Sequence, residues 1–145
     1  MLRGPAVAVL VAMALVGTTG APVAAAVGDV GSIVISEIMY HPAEDPSDDD
    51  VDNLEFIELH NPAATPASLD GFTWGDGVDG ELDGVVIPGG GYVVVSPDPA
   101  ATTAEYGVVA ATSYRGKLAN SGERVRLVGP DGTVVDEVDY DDKAP

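Results

Sequence analysis

Closely spaced turn residues limit what this chain can fold into after residue 26. Glycine and proline recur between short segments in which apolar and polar residues alternate. A period of two is the pattern of a β-strand with one buried face, whereas a helix needs a period of about 3.6. No long segment in this part of the chain keeps the helical period, so the sequence predicts an all-β fold of short strands.

Seven segments carry the strand pattern, and the second shows it most clearly. There Ile57 and Leu59 fall on one face of the predicted strand. Phe56, Glu58 and His60 fall on the opposite face. Strands of this kind favour two sheets packed as a β-sandwich. The seven predicted strands are 33–40, 54–60, 71–74, 85–87, 92–96, 123–128 and 133–140.

Two local motifs have clear end signals. Residues 99–106 predict one or two helical turns, with Asp98 as the cap and Gly107 as the end. Residues 123–140 predict a β-hairpin, because a Gly-Pro-Asp-Gly turn joins the two halves. The inward positions of these segments and of the loop before the hairpin predict a small core: Ile33, Ile35, Ile38, Ile57, Leu59, Phe72, Trp74, Val86, Val93, Val95, Leu118, Val125, Leu127, Val135 and Val138.

The first 26 residues have the composition of a secretory signal peptide. Arg3 precedes an apolar stretch at 6–16, and small residues at 24–26 form a cleavage site of the Ala-x-Ala type. The apolar stretch is too short to span a bilayer. We therefore expect a signal peptide at 1–26 and a domain at 27–145. This domain is expected to be secreted, extracellular or at the cell surface, without membrane insertion after signal removal.

The charge and the missing cysteines exclude several classes of protein. The chain has 6 Lys+Arg against 24 Asp+Glu, a formal net charge of −18, and no Cys. A nucleic-acid binder needs lysine and arginine to neutralise phosphates, so no nucleic-acid partner is expected. Disulfides, cysteine-based metal sites and a cysteine nucleophile are excluded. No cofactor is expected to be required.

Two acidic segments contain candidate cation ligands. In the insert 44–53, the alternating carboxylates of Asp48, Asp50 and Asp52 could converge on Ca²⁺, which takes about six to eight oxygens. The spacing of a helix–loop–helix calcium loop is not reproduced, so the competing interpretation is a solvated loop. The segment 76–84 has carboxylates among glycines without a ligand pattern. There the competing interpretation is a mobile polar hairpin tip.

The sequence does not support a catalytic site. Glu37, Glu55 and Glu58 lie on strands that are predicted to pair, and glycoside hydrolysis requires two neighbouring carboxylates. Glu55 and Glu58 have opposite parity, however, so they point to opposite faces. No serine has the context of a nucleophile elbow, and no enzyme activity is expected within these 145 residues. The glutamates are instead expected to pair with a basic residue: Arg124, Arg126 or Lys117.

Six blocks of sequence occur in a fixed order: IVISEIMYHP (33–42), EFIELHNP (55–62), LDGFTW (69–74), IPGGGYVVV (87–95), GKLANSGERVRL (116–127) and DGTVVDEVDY (131–140). Together these blocks resemble the lamin tail domain. The resemblance implies an immunoglobulin-like β-sandwich. Prokaryotic secreted members continue with one more strand, whereas this sequence stops at Pro145. The domain is therefore expected to be C-terminally incomplete and to lack its last strand.

The resemblance also implies a function. We expect an exported, non-catalytic interaction or adhesion module that is accessory to a surface or secreted protein. Its partner would be an unknown protein or a surface polymer. One alternative is the N-terminal fragment of a larger secreted enzyme, of nuclease, phosphatase or spore-coat-kinase type, whose catalytic part lies beyond residue 145. The other alternative is a calcium-dependent binding module.

Overall fold

The computed structural model describes residues 32–42 and 51–143, apart from the side chains of Val51 and Asp52. These residues form mainly β-strands, with one α-helix and one short 3₁₀ helix at Val51–Leu54. The α-helix, α1, is Pro99–Tyr106. The strands are β1 Val34–Met39, β2 Phe56–His60, β3 Ala67–Ser68, β4 Thr73–Asp76, β5 Val86–Ile87, β6 Tyr92–Ser96, β7 Ala110–Ser113, β8 Gly122–Val128 and β9 Val134–Asp141.

Two main sheets face each other across the core. The first sheet has the order β1-β2-β6-β7, and the second has the order β4-β8-β9. Neighbouring strands are antiparallel except β6 and β7, which run parallel because α1 supplies the crossover between them. The strands β3 and β5 form a separate short ladder. The fold is an immunoglobulin-like β-sandwich, as the sequence predicted.

Inward-facing residues of both sheets and of the connecting loops form the core. The predicted core positions are buried or half-buried, with one exception. Val86 is 54% exposed, while Val85 and Ile87 are buried. The prediction of Val86 was wrong because the β3–β5 ladder pairs Ile87 with Ala67 and turns this pair inward. The most deeply buried side chains include Ile33, Ile57, Leu59, Leu69, Phe72, Leu82, Val95, Val125 and Leu127.

The predicted helix is confirmed, together with both of its ends. The Asp98 side chain accepts hydrogen bonds from the backbone N–H groups of Ala100 and Ala101, at 2.9 and 3.1 Å. Gly107 ends the helix in the left-handed conformation, with φ of 69°, which favours glycine. In the part of the chain that the structure describes, no helix is both long enough and apolar enough to cross a membrane.

The 123–140 hairpin is also confirmed, but two strands were missed. β8 and β9 pair along their whole length, and the Gly132 N–H donates to the Gly129 carbonyl across the predicted turn. β3 and β7 consist of small residues without the alternating pattern, so only pairing with distant strands defines them. The continuous apolar run of residues 92–95 would suggest burial on both faces of β6, but the strand is exposed at its start, where Tyr92 is 55% exposed.

Candidate interaction surface

The outer face of the four-stranded sheet carries the most unusual arrangement of side chains. A bulge at Ser36 shifts the register of β1, so that Glu37 lies directly opposite Glu58. Met39 lies opposite Phe56 in the next outward row. Two carboxylates therefore lie next to an apolar row on the same surface.

Helix α1 forms one wall of a groove on this face. The Phe56 and Tyr106 rings meet edge to face, with their centroids 5.5 Å apart. Partial burial, and after it the neighbouring Glu105, raises the pKa of Tyr106 above its ordinary value. The groove encloses about 240 Å³. We call this cleft the outer groove, and its lining residues are Glu37, Met39, Phe56, Glu58, Val94, Thr102, Tyr106 and Val108.

The two carboxylates at the rim of the outer groove have no cationic partner among residues 32–42 and 51–143. The Ser36 hydroxyl donates to Glu58 Oε1 at 2.8 Å. The ion pairs of the described part of the chain all involve other carboxylates. Like charges directly opposite each other on neighbouring strands destabilise a sheet. The rim therefore carries a repulsion that a bound cation would relieve.

Aromatic rings extend the outer face beyond the groove. The His60 and Tyr92 rings stack with centroids 4.2 Å apart and planes 15° apart. Val34 lies opposite His60 on β1, so the three side chains form one row across three strands. After α1, Val109 is 78% exposed. Together, the row and the outer groove expose apolar side chains that the solubility of this acidic chain does not require.

Glu55 has a different role from the other two glutamates, as its parity predicted. It is 1% exposed, and its Oε2 accepts the backbone N–H of Leu118 at 2.9 Å. Burial, and after it the charge of Glu55, raises the pKa of Tyr114 far above its ordinary value. Glu55 thus anchors the loop before β8 from inside the sandwich. Glu55 is therefore separated from Glu37 and Glu58, which lie on the outer face of the sheet.

The expected pairing of the glutamates with Arg124 or Arg126 is wrong. Arg124 pairs with Asp139 at 2.8 Å, and Arg126 pairs with Asp76 at 3.0 Å. Glu137 pairs with both arginines. These side chains lie on the outer face of the three-stranded sheet, whereas the glutamates belong to the other sheet. Sequence parity could not reveal this, because it does not say which sheet each strand joins.

The predicted calcium ligands lie largely outside the described residues. Asp48 and Asp50 belong to the segment 43–50, which the structure does not describe. Asp52 lies in the 3₁₀ helix, where only its backbone is described. The calcium hypothesis at Asp48, Asp50 and Asp52 therefore stays a prediction. Within the described part of the chain, no group of three or more candidate ligands converges on one point.

The second acidic segment, 76–84, is not a polar hairpin tip. Its apolar residues Val78 and Leu82 are buried in the core. Its carboxylates bind separate partners: Asp79 pairs with Arg115 at 2.7 Å, and Asp83 accepts the Gly71 N–H at 2.7 Å. The interpretation as a mobile tip was wrong because the glycines that suggested mobility let the chain turn Val78 and Leu82 inward.

The outer groove was not predicted from the sequence. Its apolar lining comes from separate segments: Met39 from β1, Phe56 from β2, Val94 from β6 and Tyr106 from α1. The one available signal was Phe56, a large apolar side chain that shares the predicted solvent-facing side of its strand with Glu58. An exposed aromatic residue on a polar face is typical of a surface that contacts something else.

Comparison with known protein families decides the identity of this fold. A model of the Lamin Tail Domain family matches residues 26–142, which is most of the 145-residue chain. The chain belongs to the lamin tail domain family. Lamin tail domains are immunoglobulin-like and non-enzymatic, and membership supports a role as an interaction module in general. A search of curated proteins gave no match.

Proposed function

We propose that this lamin tail domain is an exported, non-catalytic module, accessory to a surface or secreted protein, that binds a partner protein through the outer groove. The observation that carries the proposal is the apolar groove that ends at two carboxylates without a cationic partner among the described residues. A soluble domain gains nothing from this combination by itself, because the carboxylates repel each other and the apolar walls contact water.

Exposed apolar side chains extend the proposed binding face beyond the outer groove. The outer groove and the row formed by Val34, His60 and Tyr92 lie on the outer face of the same four-stranded sheet. Aromatic residues are enriched at the centre of protein interfaces, with polar groups around them. A partner that covers this face would bury the exposed rings and neutralise the acidic rim.

Site-specific photo-crosslinking tests the proposed binding surface. A photoreactive phenylalanine analogue replaces Tyr106 in the full chain, which is produced in the native cells. The same analogue replaces Val134 on the other sheet as the control, because Val134 is also exposed. We expect one defined protein adduct from position 106 that is absent from position 134 and from a Glu37→Lys/Glu58→Lys background. Equal adducts from both positions, or none from position 106, would contradict the proposal.

Export is tested separately by the N-terminal sequence of the native product. The composition of residues 1–26 supports a signal peptide. We expect the protein in the secreted or surface fraction to begin at Val27. A cytoplasmic product that still begins at Met1 would rule out export and leave the binding surface to be judged by crosslinking alone.

A further inference from the structure

The outer groove has the size of one long side chain. Sites for drug-sized molecules measure about 300–1,000 Å³, whereas the outer groove encloses about 240 Å³. Its walls are mostly apolar, and its two charged groups, Glu37 and Glu58, lie directly opposite each other on neighbouring strands. A side chain with an aliphatic stem and a cationic head matches this order of surfaces.

We infer that the outer groove is an anchor site for a single arginine side chain of the partner. The inference rests on the proposed function, since it names the chemistry of the contact made in the same groove. The stem of the arginine would lie among Met39, Phe56 and Tyr106. Its guanidinium group would lie between the carboxylates of Glu37 and Glu58, and an aromatic ring beside it adds a cation–π attraction.

A metal ion does not fit the same rim. Ca²⁺ takes about six to eight oxygen ligands, and the described residues around the rim supply two carboxylates and the Ser36 hydroxyl. The remaining lining adds only two hydroxyl groups, and that of Thr102 already donates to the Asp98 carbonyl, so the oxygens fall short of a calcium shell. An organic cation with an aliphatic stem fits this lining. Its stem can contact the apolar walls, and its charged group can bind the two carboxylates.

Arginine fits better than lysine for a geometric reason. The guanidinium group is a planar fork with several N–H donors, so it can bond to two carboxylates at the same time. The lysine ammonium is a compact, strongly hydrated point charge that loses more hydration when it enters an apolar cleft. The overall charge of −18 attracts both side chains equally, so preference for arginine depends on the groove itself.

Small probes test the anchor without knowledge of the partner. The full secreted chain, with isotope-labelled methionine methyl groups and tyrosine rings, is titrated by NMR with N-acetyl-arginine amide. The neutral isostere N-acetyl-citrulline amide and N-acetyl-lysine amide serve as comparison probes. We expect saturable shifts at Met39 and Tyr106 with the arginine probe, at least fivefold weaker binding of lysine, and no saturation with citrulline.

A matched pair of variants separates the groove from general acidity. Glu37→Gln/Glu58→Gln and Glu81→Gln/Asp142→Asn each remove two negative charges, from one exposed and one half-buried position in the first variant and from two exposed positions in the second. We expect the first pair to weaken the arginine probe at least tenfold and the second to change its affinity less than twofold. Thermal melting of both variants shows whether they fold. Equal weakening by folded variants would make the interaction general electrostatic attraction and overturn the anchor.

The outcomes also separate this inference from the proposed function. If no probe binds but the crosslinked adduct at position 106 still forms and survives Glu37→Gln/Glu58→Gln, the partner exists and the arginine anchor is wrong. If neither probe nor adduct is seen, both proposals fail. If Met39 and Tyr106 show contacts to residues 43–50 of the same chain and no shift with arginine, the groove is occupied internally and the anchor is overturned.

Discussion

The outer faces of the two sheets balance their charges in different ways. On the three-stranded sheet, Arg124 and Arg126 lie among Asp76, Glu137 and Asp139, so each cation has a carboxylate within ion-pair distance. On the four-stranded sheet, two carboxylates face each other at the end of an apolar groove. On the first face each of these carboxylates contacts an arginine of the same chain, whereas on the second the two carboxylates have no cationic partner among the described residues.

The largest expected effect is on the free energy of unfolding, and it compares two glutamates on opposite faces of one segment. Glu55 is buried and accepts the Leu118 N–H, while Glu58, three positions on, lies on the outer face. Glu55→Ala should lower the free energy of unfolding by about 3 kcal/mol, because it leaves a cavity and an unpaired buried N–H. Glu58→Ala should cause no such loss. Chemical denaturation measures both, and equal losses would contradict the assignment of opposite faces.

The paired face should weaken when its central cation is removed. Arg126 bonds to both Asp76 and Glu137. Arg126→Met keeps the stem and should cost about 1 kcal/mol of unfolding free energy at low salt, because the flanking carboxylates are left without their cation. The cost should shrink at high salt. Arg115→Met, at the highly exposed Asp79 pair, is the control and should have no measurable effect.

On the outer face of the four-stranded sheet, removal of a charge should increase the free energy of unfolding instead of lowering it. Glu37→Gln removes one of two directly opposed like charges and should raise the free energy of unfolding by about 0.5 kcal/mol. The gain should disappear at high salt, because the repulsion lies at an exposed surface. A destabilisation by Glu37→Gln at low salt would show that the two rim carboxylates are not in conflict.

The smallest expected effect is a pH dependence on the paired face. Hydrogen bonding to Arg124 lowers the pKa of Asp139 below its ordinary value. A lowered pKa in the folded state adds stability above the unfolded pKa of about 3.9, and that stability is lost as the pH falls through the folded pKa. The Tm difference between the wild type and Asp139→Asn should therefore be present at neutral pH and disappear in strong acid. A constant difference would contradict the ion pair.

Local patterns in the sequence determined several elements completely. The ends of α1 follow from Asp98 and Gly107, whose side-chain and backbone preferences act within one turn. The turn between β8 and β9 and the two faces of β2 follow in the same way from neighbouring residues. Family membership also followed from blocks of sequence, because each block contains a local pattern of the fold.

The outer groove was decided only by the tertiary structure. By simple alternation Glu37 would share the inward parity of Ile35, but the bulge at Ser36 turns it outward and places it against Glu58. The side chains of Met39, Phe56 and Tyr106 then meet across strands and a helix that are far apart in sequence. Register and docking depend on contacts between distant segments, and residue spacing within one segment carries no information about them.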